Sequence, residues 1–228
     1  MSNHLDLEEQ EQIEQLKAFW AQYGNAITWG LIAIFAAFAA WNGYQYWQRQ
    51  QAQQASALYD EVERMVGSGD PAKLGRAFED MKNRYPGTVY AQQAALLVAE
   101  VSVAGGRLDD AKGPLRWAAE QGKDSAIAAV ARLRLASVQI ESKDFDGAIA
   151  VLATEPADSE YQGLFQDRRG DALAAKGDKA GAIESYKKVL GNTSANPDLQ
   201  RLVRIKLNGL GTDMEPVAAS ASKSVDVK

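Results

Sequence analysis

The 228-residue chain has no cysteine and one histidine, His4. The first absence excludes disulfides, thiolate catalysis and zinc–cysteine sites together. The second confines histidine chemistry to the N-terminal tail, so neither a Ser-His-Asp relay nor a histidine metal site can be built in the body of the chain. A basic excess is missing too. Lys and Arg number 25 against 30 Asp and Glu, a net charge of −5, whereas nucleic-acid binding needs a basic face that displaces counterions. The glycines form neither GxGxxG nor GxxxxGK[ST], so no phosphate cradle is expected.

What stands out instead is one long run without charge, Ala26–Trp47, AITWGLIAIFAAFAAWNGYQYW. As a helix rising 1.5 Å per residue it would be roughly 33 Å long, enough to cross a hydrocarbon core about 30 Å thick. Thr28, Asn42 and Gln45 interrupt it, and each can bond within the helix or sit near headgroups. Trp29 marks one end, while Trp41, Tyr44, Tyr46 and Trp47 mark the other, as in an interfacial aromatic belt. Ala37-Phe38-Ala39 has the form of a leader cleavage site. However, the preceding segment carries Asp6, Glu8, Glu9, Glu11 and Glu14 against Lys17, unlike the short positive region of a secretory leader. A retained anchor over 26–47 is the expectation. The charges flanking it are too few to orient it, with Lys17 on one side and Arg49 on the other.

Residues 1–25 read as an acidic tail and a lead-in helix, with Ile13, Leu16, Trp20 and Tyr23 on one face. Residues 48–66 continue the helical pattern but are too glutamine-rich for lipid. They are expected as a helical stalk striped by Leu58, Val62 and Met65, which Gly67 to Pro71 terminate.

Residues 67–210 repeat. Ala148 and Ala182 stand 34 positions apart, as do Leu152 and Tyr186, and Ala136 and Gly170. Ala111 precedes Ala148 by 37, the three extra residues fitting a turn at Gln121–Asp124, and Ala77 precedes Ala111 by 34. A helix–turn–helix period of 34 is the tetratricopeptide signature. Small Ala77, Ala111, Ala148 and Ala182 would let paired helices approach, and Met81, Leu115, Leu152 and Tyr186 would fill the gaps between hairpins. Gly106, Lys143 and Gly177 fall at the turns within hairpins. Asp109-Asp110 and Asp144/Asp146 fall at helix starts, where carboxylates cap free N–H groups and complement the dipole. A helix over 198–208 should close the stack, with Leu199, Leu202 and Val203 turned inward and Arg201 and Arg204 in water. Residues 211–228 have little to bury and are expected as a disordered tail.

The fold class is therefore all-α: a single N-terminal transmembrane helix, then a tetratricopeptide-like helical-hairpin solenoid. An enzyme is not expected, and no cofactor or metal is implied. Binding would fall to the groove lined by the first helices of successive hairpins. The repeat alignment places there Gln93 and Glu100, Arg134 and Glu141, and Asp167, Arg168 and Asp171. An ordinary solvated helix face accounts for any one of these residues more simply.

The layout resembles the YfgM family of bacterial membrane proteins. The resemblance rests on Glu14-Gln15-Leu16-Lys17-Ala18-Phe19-Trp20, on the anchor's Tyr46-Trp47, on Ala131-Arg132-Leu133-Arg134-Leu135-Ala136-Ser137-Val138-Gln139, and on Arg169-Gly170-Asp171-Ala172-Leu173-Ala174-Ala175-Lys176-Gly177-Asp178. It implies a single-pass inner-membrane protein with a cytoplasmic N-terminus and a periplasmic repeat domain. It further implies an ancillary subunit of the SecYEG translocon that works beside a PpiD-like periplasmic chaperone on unfolded secreted polypeptides. Tyr85-Pro86-Gly87-Thr88-Val89-Tyr90-Ala91 also resembles hairpin junctions in envelope scaffolds built from the same repeat, so a scaffold unrelated to secretion is the alternative.

Overall fold

The computed structural model describes residues 7–67, 69–154, 156, 159–192, 194 and 196–212. The acidic residue Asp6 and the tail beyond 212 lie outside the described residues. Among the latter every regular element is helical, and the chain divides into two compact units between Gln51 and Ala52.

The first unit is helical from Leu7, the start of α1 (Leu7–Gly67). Its polar interruptions are satisfied locally. Thr28 Oγ1 donates to the Gly24 carbonyl at 2.7 Å, and Asn42 Nδ2 donates to the Phe38 carbonyl at 2.9 Å. Trp29, Ile34, Phe35, Phe38 and Trp41 are all exposed. α1 is the one helix among the described residues long and apolar enough to cross a membrane. Beyond the apolar run, Gln48 Nε2 donates to the Tyr44 hydroxyl at 2.6 Å and Gln50 Nε2 to the Tyr46 hydroxyl at 3.1 Å. The glutamines that make this stretch too polar for lipid thus bind the phenols of the aromatic belt.

In the second unit the segment expected as a stalk is helical, and its apolar stripe packs into the core, Val62 fully buried and Leu58 and Met65 partly so. Ala55 and Val62 pack with Leu74, Phe78 and Met81 of α2 (Pro71–Arg84). This end of α1 is the first helix of the first hairpin. Three hairpins follow: α3 (Val89–Ala104) with α4 (Leu108–Glu120), α5 (Ser125–Glu141) with α6 (Phe145–Val151), and α7 (Ser159–Lys176) with α8 (Lys179–Gly191). α9 (Pro197–Gly209) closes the array.

Short polar residues start most of these helices by satisfying free N–H groups, whereas α4 starts from Arg107 with no side-chain cap and carries Asp109 and Asp110 in its first turn. Asp70 Oδ1 accepts from Ala72 N, Asp124 Oδ1 from Ile127 N, Asp144 Oδ1 from Gly147 N and Asp178 Oδ1 from Gly181 N. The capping hydrogen bond from the Lys73 amide holds the Asp70 carboxyl below its ordinary value. The turns inside the hairpins share one geometry. Gly106, Lys143 and Gly177 are left-handed at φ 72°, 63° and 94°. In each, the next amide closes onto a carbonyl five residues back: Arg107 N to Ser102 O, Asp144 N to Gln139 O and Asp178 N to Leu173 O. Lys143 alone does this with a side chain on its Cα.

The repeat register matches residue sizes across each hairpin. Leu115 and Leu152 are buried against hairpins that carry Ala99 and Ala136. In the last hairpin the filler is Tyr186 and the facing residue is Gly170, where an added Cβ would lie 2.6 Å from the ring's Cδ1. Leucine over alanine becomes tyrosine over glycine. Ala111, Ala148 and Ala182 are fully buried, as the period requires. Ala77 departs from this pattern: it is half-buried, and Phe78 enters the core instead, edge-on to Trp117 at 5.8 Å between centroids.

The cap also differs from expectation. Val203 and Leu207 are fully buried and Leu199 packs beside them, but Leu202 is 45% exposed. In a helix, positions 199, 203 and 207 share one face, and 202 lies a quarter-turn off it.

Candidate functional site

The first helices of the second and third hairpins, α3 and α5, enclose an open cleft of about 480 Å³ near their C-terminal ends. α3 contributes Ala99, Glu100, Val103 and Ala104; α5 contributes Arg134, Ser137, Val138 and Glu141; Leu115 of α4 lies at the floor. Small residues at 99 and 104 open the space between the helices. Three of the residues expected to face a groove, Glu100, Arg134 and Glu141, therefore line one cleft. Arg134 Nη1 reaches Glu100 Oε2 at 3.4 Å, joining the two walls. Both partners of this pair are well exposed, so it contributes at most about 1 kcal/mol to stability. Gln93, earlier on α3, is exposed and is not among the cleft's lining residues.

Asp167, Arg168 and Asp171 are placed differently. Asp167 is only 5% exposed. Lys206 of α9 donates to Asp167 Oδ1 and to Asp171 Oδ1, both at 2.7 Å, and the Tyr186 hydroxyl donates to Asp171 Oδ1 at 2.8 Å. Arg168 Nη1 stands 3.8 Å from the other Asp171 oxygen. Burial pushes the Asp167 carboxyl above its ordinary value, and the hydrogen bond from Lys206 opposes that shift. Burial, followed by the hydrogen bond to Asp171, pushes the Tyr186 phenol upward. The ammonium also lies 5.5 Å from the Tyr186 ring centroid. These carboxylates are spent on fastening the cap to the last hairpin, while Arg168 remains partly exposed at the edge of the cluster.

One polar residue that the sequence did not mark is Gln92, 1% exposed on α3. Its Oε1 accepts from Asp124 N at 2.9 Å, and its Nε2 donates to the carbonyls of Ala118 and Asp124, both at 3.3 Å. It stitches the lengthened turn between α4 and α5 onto the hairpin below. A single glutamine on an apolar helix gives no periodic signal; only the three-residue insertion hints that this turn needs a partner.

The cleft's polar groups are carboxylates, a guanidinium and a hydroxyl over an aliphatic floor. Such a set supplies ion pairs, hydrogen bonds and apolar contact to a polypeptide.

A family model described as a tetratricopeptide repeat-like domain matches residues 17–212. The chain is 29% identical over 205 residues to a Neisseria gonorrhoeae protein named "Ancillary SecYEG translocon subunit", covering 90% of this chain and 98% of that one. A protein of the same name from Escherichia coli is 30% identical over 205 residues, covering 89% and 96%. Another, from Haemophilus influenzae, is 30% identical over 208 residues, covering 90% and 98%. No solved structure matches the chain.

Proposed function

Because the chain belongs to the ancillary SecYEG translocon subunit family, whose repeat body it carries almost from end to end, we propose that it is a non-enzymatic, membrane-anchored binding subunit beside the translocon. In this reading residues 26–47 cross the inner membrane, the N-terminus is cytoplasmic and the repeat unit is periplasmic. The repeat unit contacts secreted chains as they emerge, alongside a membrane-anchored chaperone of the PpiD type. The observation that carries the reading is the near-full-length similarity to the named translocon subunits.

Two features of the geometry support it. A bilayer-length helix is covalently joined to the repeat unit, so a weak contact is strengthened by raised effective concentration once the anchor is held near the translocon. The cleft between α3 and α5 is shallow and of mixed polarity, as suits weak contact with many sequences. The remaining groove expectations, Gln93 and Arg168, belong to the same proposal as flanking contacts.

The test is site-specific photocrosslinking from position 141 in native membranes, combined with protease treatment of spheroplasts. The expected adducts contain translocon subunits and the periplasmic chaperone, and protease should remove residues beyond Arg49 while sparing an N-terminal tag. Protection of the repeat unit, or adducts confined to unrelated envelope assemblies, would overturn the reading.

A further inference from the structure

The cleft between α3 and α5 carries an electrostatic imbalance that the fold leaves uncorrected. Its lining holds two carboxylates, Glu100 and Glu141, and one guanidinium, Arg134, which is engaged with Glu100 at 3.4 Å. Both walls are helix C-terminal ends, where the helix dipole places partial negative charge even though the turns beyond close amides onto most of the last carbonyls. A basic side chain in the last turn ordinarily offsets that charge. α2, α7, α8 and α9 each have at least one, but α3 and α5, like α4 and α6, have none. Arg107 and Lys143, in the turns beyond, are not part of the lining, and Arg107 faces Asp110 at 3.3 Å. Beneath this negative rim the floor is aliphatic: Ala99, Leu115 and Val138 are buried, and Val103 is 36% exposed.

We propose that this cleft is a subsite for an extended polypeptide segment that places an aliphatic side chain on Val103 and Val138 and a neighbouring lysine or arginine against Glu141. The inference rests on the binding role proposed above and gives it a chemical preference: cationic–aliphatic segments over acidic ones. Charge complementarity selects this occupant. An acidic segment would meet two carboxylates and two helix C-termini with only an already engaged Arg134 to receive it. A purely apolar segment would cover the floor but leave Glu141 unmatched at the rim.

The experiment uses the full-length protein in lipid nanodiscs and two fluorescently labelled peptides of alternating sequence, one of leucine and lysine, the other of leucine and glutamate. Anisotropy titration should show the lysine peptide binding about five- to tenfold more tightly, with a preference that shrinks as salt rises, as expected for one exposed charge contact aided by helix ends. Glu141→Lys should invert the preference, and the neutral Val103→Asn should weaken both peptides. Equal binding of the two peptides, or a preference unmoved by Glu141→Lys, would overturn the subsite. Membrane crosslinking of the Glu141→Lys variant keeps the two readings separable. Retained translocon adducts with an inverted peptide preference are the expected pair of results. Loss of those adducts would show that the cleft holds the translocon itself, and would overturn the subsite as a place for client chains.

Discussion

The third and fourth hairpins are built on the same 34-residue step and share Asp144/Asp178, Gly147/Gly181, Ala148/Ala182 and Ile149/Ile183, yet they differ where the paired helices meet. α5 and α6 pair Ala136 with Leu152 and turn at Lys143, whereas α7 and α8 pair Gly170 with Tyr186 and turn at Gly177. The third hairpin leaves its first-helix charges free to line a cleft. The fourth commits its own to the cap, through Asp167, Asp171 and Lys206. The repeat therefore keeps the capping aspartate, the close-approach alanine and the turn's backbone angle, while the filler and the residue facing it preserve fit rather than particular side chains. Within those constraints, one hairpin can open a cleft while its neighbour closes the array.

The comparison breaks most visibly at Gly170. Gly170→Ala should cost about 2–3 kcal/mol, because the new methyl group overlaps the Tyr186 ring in a closed core. Tyr186→Leu alone should also destabilise, through a cavity and the lost bond to Asp171. The double variant recreates the alanine–leucine pairing of the third hairpin and should be at least about 1 kcal/mol more stable than the sum of the single changes. Urea melts of the four proteins measure the coupling, and strict additivity would refute the size-matching account.

Lys206→Ala comes next. It leaves Asp167 buried without its counter-charge and should cost about 1–3 kcal/mol at neutral pH. The sign of the pH dependence follows from the raised carboxyl of Asp167. A raised acid stabilises fully below its ordinary value and loses that contribution as pH rises through the folded one. The difference in melting temperature between the variant and the parent should therefore narrow as acid protonates Asp167. A difference that is constant with pH would assign the loss to packing alone.

The period made most of this legible. The buried alanines at 111, 148 and 182 and the fillers at 115, 152 and 186 recur at the same steps of 37 and then 34, and the turn residues fall between them. The first hairpin's leading helix reads as a stalk because it continues the apolar run, and its stripe of Leu58, Val62 and Met65 resembles a stalk's seam rather than a core. Asp167 read as a solvated charge, since nothing nearby in sequence shows that Lys206, 39 positions away, closes over it. The cleft was legible as a row of residues but not as a volume, which depends on how far apart α3 and α5 stand.

The smallest expected effect is at the turns. Lys143 adopts at φ 63° what Gly106 and Gly177 adopt without a Cβ. Lys143→Gly should stabilise by about 0.5–1 kcal/mol, less than the full left-handed penalty because glycine also loosens the unfolded chain. Gly177→Lys should cost about 1 kcal/mol. Thermal melts of the pair would show opposite shifts; shifts of the same sign would mean the two turns are not equivalent.

Gln92 has a consequence for how such arrays vary in length. With its one amide group it ties both ends of the turn between α4 and α5, at Ala118 and Asp124, to the helix beneath. Stacking is thereby uncoupled from spacing, and a step of 37 residues can sit among steps of 34 without moving the helices on either side. Closing a slightly longer loop costs little entropy, because that cost grows only logarithmically with length. What an insertion threatens is the hydration of its own backbone groups, and one buried amide removes that threat. A repeat chain with such a side chain in the preceding helix can lengthen a link between hairpins while its hairpins keep step.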